Sequence, residues 1–263
     1  KVNTLMAGGE AIAMPLLEEN DFLPDLTAIP SDAARKAKLM FVNYPNNPTG
    51  ATADLSFYND LVRFARDHDI GVVSDLAYSE VTYDGYVAPS ALQADGAKDV
   101  VVEMHSLSKS FNMTGWRIGF AVGNPDMIAA LNKLKSNLDS RQFPAIDIAA
   151  AYALENVSNQ RTLDLYKKRR DILVDGLGAL GWTIRKPSAS LYVWARVPEG
   201  FTSADFVKLL LQDAGVLAIP GSGYGEYGEG YIRMSLTVSD DREGERVAEA
   251  VERIRDKIKV RWR

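Results

Sequence analysis

The sequence predicts an α/β protein built on a mainly parallel sheet, followed by a smaller α+β module. Three observations carry this. Short apolar runs alternate with stretches of helical periodicity through the first half. The runs are continuous rather than alternating, as in strands covered on both faces. The first three of them end in polar residues, where sheets of this kind place their functional groups.

In chain order, KLMFVNYP (Lys38 to Pro45) reads as a strand stopped by Pro and Asn. DLSFYNDLVRFARDHD follows, with Leu55, Tyr58, Leu61, Val62 and Ala65 at helical spacing and Asp54 as its cap. IGVVSDLAY, DVVVEMHSLS and RIGFAVGN are the next strands, and PDMIAALNKLKSNL is a helix with Pro125 in its first turn. The second half opens with two helices, AIDIAAAYALEN and a long one ending at Gly181. Strands WTIRKP and SLYVWARVP, helix SADFVKLLLQDAG and strand VLAIPG come next. The glycine-rich turn GSGYGEYGEG, the strand YIRMSLT and a last helix complete it. A boundary near Asn156 divides residues 1–156 from residues 157–263.

With 30 basic against 35 acidic residues the net charge is −5, which argues against a nucleic-acid partner. The basic run Lys167 to Arg170 reads as the solvated face of a helix. The chain lacks cysteine, so disulfides and thiolate metal sites are excluded, and His68 and His105 are too few for a histidine metal site. No apolar run reaches the length of a membrane span and no signal peptide opens the chain, so a cytoplasmic protein is the expectation.

HSLSKSFNMTGWRIG, His105 to Gly119, concentrates candidate chemistry. Lys109 reads either as a surface lysine or as a nucleophilic amine that forms a Schiff base with a carbonyl cofactor. Ser106, Ser108 and Arg117 supply hydroxyl donors and a guanidinium fork suited to phosphate; singly they would be helix caps and a snorkelling arginine. Asp75 closes an otherwise apolar strand, and a carboxylate at a buried strand end needs a partner. That partner is structural, or it is a protonated ring nitrogen of the kind pyridoxal phosphate carries. Tyr78 and Asn47 are placed to donate to the phenolic oxygen of such a cofactor.

NYPNNPTG, SDLAYSEVTYDG, HSLSKSFNMTGWRIGF and PGSGYGEYGEGYIRMSL, in this order, resemble the class I/II aminotransferases, fold type I pyridoxal-phosphate enzymes. The resemblance runs over essentially the whole chain and is nearest the LL-diaminopimelate aminotransferase-like subgroup. It implies pyridoxal 5'-phosphate as cofactor, an amino acid and a 2-oxo acid as substrates, and a homodimer. LL-2,6-diaminopimelate, aspartate and alanine are the candidate amino donors. Lys109 is implied as the Schiff-base lysine and proton shuttle, and Asp75 as the partner of the ring nitrogen. Tyr78 and Asn47 are implied on the phenolic oxygen, and Ser106, Ser108 and Arg117 on the phosphate. Arg233, in GYIRMSL, is implied as the clamp on the substrate α-carboxylate, with Asn47 beside it. Gly115 is expected to allow close backbone approach and Trp116 to pack.

Two departures accompany the resemblance. VNTLMAGGEAIAMPL, straight after Lys1, reads as the middle of a domain, and the family's chains carry a further large segment before this point. A fragment is therefore expected. Arg141 stands where related enzymes have a small residue, and its expected direction is towards solvent. Two competing functions stay open: a carbon–sulfur β-lyase of the same fold, and a regulator domain that binds the cofactor without turnover. A plain α/β domain with no cofactor would leave all four motifs to chance.

Overall fold

A computed structural model describes residues 2–139 and 141–262. Helix α1 (Val2–Met6) leads into an extended segment and then α2 (Ser31–Lys36). Strand β1 (Leu39–Asn43), helix α3 (Leu55–Asp67) and strand β2 (Gly71–Asp75) form the first β-α-β unit. The Asp54 carboxylate accepts from the Phe57 amide at 2.8 Å, satisfying one of the free donors that start α3. The helix buries Phe57, Tyr58, Leu61, Val62 and Ala65, and each large apolar side chain so buried contributes about 1.5–3 kcal/mol.

A short helix α4 (Ala97–Val100) feeds β3 (Val101–Ser106), which runs directly into the single turn α5 (Leu107–Ser110). Strand β4 (Gly119–Gly123) returns beside β3. The sheet order is β1-β2-β3-β4, with the first three strands parallel and β4 antiparallel to β3. Parallel pairing in sequence order brings the carboxyl ends of β1, β2 and β3 side by side. In β1, Leu39 and Phe41 are exposed while Met40 and Val42 are buried.

Asn124 caps α6 (Pro125–Leu138), with Pro125 in its first turn, and α7 (Pro144–Asn156) follows. These two helices leave Leu134, Leu138, Ile148 and Tyr152 exposed. Helix α8 (Gln160–Gly178) then leads to β5 (Tyr192–Arg196), α9 (Ser203–Ala214), β6 (Ile219–Pro220), β7 (Tyr231–Ser235) and α10 (Glu245–Lys257). The second sheet is antiparallel, in the order β5-β7-β6. Its two faces divide by alternation. Val193, Ala195, Ile232 and Met234 join Leu177, Phe206, Leu210 and Ile254 in one core. Trp194 and Tyr231 join the core of the first half instead. Tyr78, Val81 and Tyr83, from the stretch after β2, belong to the second core, so the two halves interlock.

Two readings are corrected. The run Lys167 to Arg170 is only in part a solvated face: Lys168 is exposed, but Arg169 and Arg170 are 4% and 1% exposed. Arg169 donates to the Leu236 and Val238 carbonyls at 2.9 Å and also binds Asp241. Arg170 donates to the Pro187 carbonyl at 3.0 Å, pairs with Asp84 at 2.7 Å and with Asp171, and lies over the Tyr83 ring. Loop carbonyls without a strand partner take the arginine donors, which a count of charges cannot reveal. The second correction concerns WTIRKP, which forms no strand. Side chains hold it instead, through Trp182 donating to the Arg196 carbonyl at 2.8 Å and Lys186 on Asp175 at 2.7 Å. Among the described residues no helix is long and apolar enough to cross a membrane.

Candidate active site

The three parallel strand ends and one face of the small sheet meet at a single region. Asn43, the last residue of β1, organises the first two ends. Its Nδ2 donates to the Asp75 carbonyl at 2.9 Å, and its Oδ1 accepts from the Asn47 amide at 2.9 Å. Asn46 is buried and serves the loop, accepting from the Thr49 amide and hydroxyl and donating to the Asn43 carbonyl. Asn47 is thereby left to face the second half, where its Oδ1 accepts from Arg233 Nη1 at 2.9 Å.

Asp75 ends β2 opposite Asn43 in the register. The residue is exposed at the end of β2 rather than buried as expected. Partial desolvation nonetheless raises its pKa, opposed by the Ala77 amide, which donates to Oδ1 at 3.1 Å, and by the Lys109 charge. The carboxylate can therefore take a further cationic partner. Tyr78, three residues on, is buried, and burial followed by the neighbouring Tyr192 phenol drives its pKa above the usual tyrosine range. Lys109 is half-buried in α5, and its Nζ lies 5.9 Å from the Tyr78 ring centroid. Asp75, Tyr78 and Lys109 are thus brought together.

The phosphate candidates are placed less uniformly. The Ser106 hydroxyl accepts from the Ser108 amide at 3.2 Å and so caps α5, while Ser108 is 8% exposed. Arg117 follows on the same loop in a left-handed conformation (φ 53°), is exposed, and donates to the Thr114 carbonyl at 2.9 Å. Thr114 donates in turn to the Ser108 carbonyl at 3.1 Å, which closes the loop on the turn of Lys109. Gly115 meets no protein atom within 4 Å where a Cβ would stand, and Trp116 is 48% exposed. The close approach is at Gly119, where a Cβ would overlap the His105 carbonyl oxygen across the β3–β4 pair. Arg141 is exposed.

Beneath this loop, Glu103 is 2% exposed and fully engaged. It accepts from the Ser90 hydroxyl at 2.8 Å, the Ala91 amide at 2.9 Å and His105 Nε2 at 2.8 Å. The His105 ring stacks on Phe120 at 4.6 Å, so β3 and β4 are pinned just before Ser106.

Arg233 comes from β7, on the face that alternates away from the second core. Its guanidinium carbon is 4.0 Å from the Tyr192 ring centroid and 5.1 Å from that of Tyr224. Its Nε is buried without a partner. A buried guanidinium donor left unpaired is costly. Sequence reasoning missed Asn43, Tyr192 and Tyr224. The signal for Tyr192 was its place two residues before Trp194, on the same face of β5 as the partner of Arg233.

The family model for aminotransferase class I and II matches residues 2–253. The LL-diaminopimelate aminotransferase of Moorella thermoacetica is 56% identical over 97% of the chain, and LL-diaminopimelate aminotransferase 2 of Nostoc sp. is 54% identical over the same share. The chain spans 65% of the length of each of these curated relatives. Among solved structures, apo-BacF from Bacillus subtilis superposes with a TM-score of 0.90 at 40% identity, over 96% of this chain and 64% of that one. The sequence motifs, the α/β fold and these similarities agree: the chain belongs to the class I and II aminotransferase family.

Proposed function

We propose that this chain, as part of a longer protein, is a pyridoxal-phosphate-dependent amino-acid aminotransferase that takes LL-diaminopimelate as amino donor and a 2-oxo acid as acceptor. The observation that carries the proposal is the meeting of two groups of residues from opposite halves. Lys109, Tyr78 and Asp75 lie on the strand-end rim, and Arg233 reaches Asn47 on the same rim from the other sheet. The names of the relatives support the donor.

The residues fit the cofactor in donor chemistry: a lysine amine, an acid with room for a cationic partner, two phenol-oxygen donors, and hydroxyls with a guanidinium for phosphate. When bound, pyridoxal phosphate supplies an electron sink that makes the substrate α-proton removable. Ser106, Ser108 and Arg117 would hold its phosphate, and Asp75 its ring nitrogen. Tyr78 and Asn47 would hold its phenolic oxygen. Arg233 binds the substrate carboxylate and so orients the α-carbon towards Lys109, whose amine takes the α-proton and returns it on the other side of the transfer. The Tyr78 ring centroid lies 5.9 Å from that amine. The apolar side chains exposed on α6 and α7 support a homodimer. We assign residues 1–156 to the cofactor-binding domain and residues 157–263 to the smaller one.

The test is to load the full-length protein with pyridoxal phosphate, reduce with borohydride and map the tagged peptide. The tag belongs on Lys109, and a tag on another lysine overturns the assignment. A panel of amino acids with a 2-oxo acid acceptor then separates transfer from β-elimination, since a lyase releases pyruvate and ammonia with no acceptor present.

A further inference from the structure

We infer that Tyr192 and Tyr224 are positioning residues that sandwich the Arg233 guanidinium and fix the plane in which it meets a carboxylate. The inference rests on the aminotransferase reading, in which Arg233 is the carboxylate clamp.

The sandwich follows from strand register. Arg233 pairs with Trp194 across β5 and β7, and Tyr192 is the diagonal neighbour two residues back on the same face. The Tyr192 ring is the nearer face, at 4.0 Å from the guanidinium carbon. Tyr224 approaches at 5.1 Å from the glycine-rich turn, and it is itself held edge-on to Trp194 at 5.9 Å. The Tyr192 ring also meets Tyr78 edge-on, at 6.1 Å. The guanidinium is planar of itself, and rings over its faces fix the orientation of that plane and leave its N–H donors pointing edge-out. The Nη1 bond to Asn47 then sets the rotation within that plane. Nε is enclosed by protein, so an incoming carboxylate meets the guanidinium at its Nη groups rather than at Nε.

The arrangement also makes an unbroken row: Lys109, Tyr78, Tyr192, Arg233, Tyr224, Trp194. Tyr192 stands at its middle, between the amine end and the carboxylate end. Replacing it therefore changes the aim of Arg233 without removing any group that bonds the substrate.

The experiment uses the full-length holoenzyme with LL-diaminopimelate and 2-oxoglutarate, and compares kcat and KM for Tyr192→Leu, Tyr192→Phe, Tyr224→Leu and Arg233→Lys. Tyr192→Leu is expected to raise the KM for the amino acid about tenfold while kcat stays within about threefold, the loss of one desolvated ring–cation contact. Tyr192→Phe keeps the ring and returns KM to within about twofold of the parent. Tyr224→Leu, at the longer distance, raises KM by about threefold and stands in should Tyr192→Leu fail to fold. Arg233→Lys separates the two readings. If it leaves KM unchanged, the clamp itself is misassigned. If it raises KM while both leucine variants keep the parent KM, the sandwich alone is wrong. An equal fall in kcat and kcat/KM in Tyr192→Leu, with KM unmoved, also overturns it.

Discussion

Arg233 and Asn47 stand 186 residues apart and meet through one hydrogen bond, Nη1 to Oδ1 at 2.9 Å. The bond joins the small sheet to the loop after β1, and so ties the second half of the chain to the rim that carries Lys109. Asn47→Ala removes the acceptor and leaves Arg233 with a second unpaired donor. The expected outcome is a rise of about tenfold in the KM for the amino acid. Steady-state kinetics of the full-length enzyme check it, and an unchanged KM would show the bond to be incidental.

Asp75→Asn keeps the shape at the end of β2 and removes the charge. The expected result is a loss of about 10²–10³-fold in kcat, with Lys109 still tagged by borohydride. Stopped-flow turnover and peptide mapping read the two effects separately. Loss of the tag together with activity would mean that Asp75 acts on cofactor binding rather than on the chemistry.

Asp171 ties acid stability to the buried arginine of α8. Desolvation alone would raise its pKa, but hydrogen bonds from Lys167, Arg170 and Lys186 hold it at about 2. A carboxylate depressed in the folded state stabilises the fold above its ordinary pKa and stops doing so as pH falls through about 2. Asp171→Asn is therefore expected to lose about 2 kcal/mol at pH 7. The gap to the parent should narrow below about pH 4 and close near pH 2. Denaturant melts across that range measure it, and a gap independent of pH would refute the assignment.

Gly119→Ala forces a Cβ onto the His105 carbonyl oxygen in the β3–β4 ladder. Destabilisation of about 1–3 kcal/mol is expected, together with weaker cofactor binding, because the displaced carbonyl immediately precedes Ser106. Gly115→Ala, where a Cβ meets nothing, is the control and should leave the melting midpoint unmoved.

Most of this fold was legible before any coordinates, for identifiable reasons. Helix α3 announced itself by its apolar spacing and its Asp54 cap; the cap is present and Tyr58, Leu61, Val62 and Ala65 are buried, whereas Leu55 is exposed and Phe57 takes the buried place in the first turn. The strands β1, β2 and β3 were legible as apolar runs ending in polar groups, and their parallel order puts Asn47, Asp75 and Lys109 on one rim. Long-range pairing was not legible. The burial of Arg169 and Arg170 depends on loop carbonyls 17 to 69 residues away. The ring on Arg233 depends on the register of β5 against β7, which no local pattern encodes. WTIRKP has strand-like composition and no neighbour to pair with, and composition cannot supply a neighbour.

The alternation along β7 has one more consequence. Tyr231, Arg233 and Ser235 share one face of the strand, and Ile232 and Met234 share the other. A slip of one residue against β5 would exchange the two sets. Arg233 would sink among Phe206, Leu210 and Ile254, and Ile232 would be offered to the substrate in its place. Such a misthreaded chain would retain its helices and most of its mass in order, yet it would lack the carboxylate clamp we propose. Correct strand registration is therefore itself a precondition of the proposed substrate recognition, settled at the moment of folding.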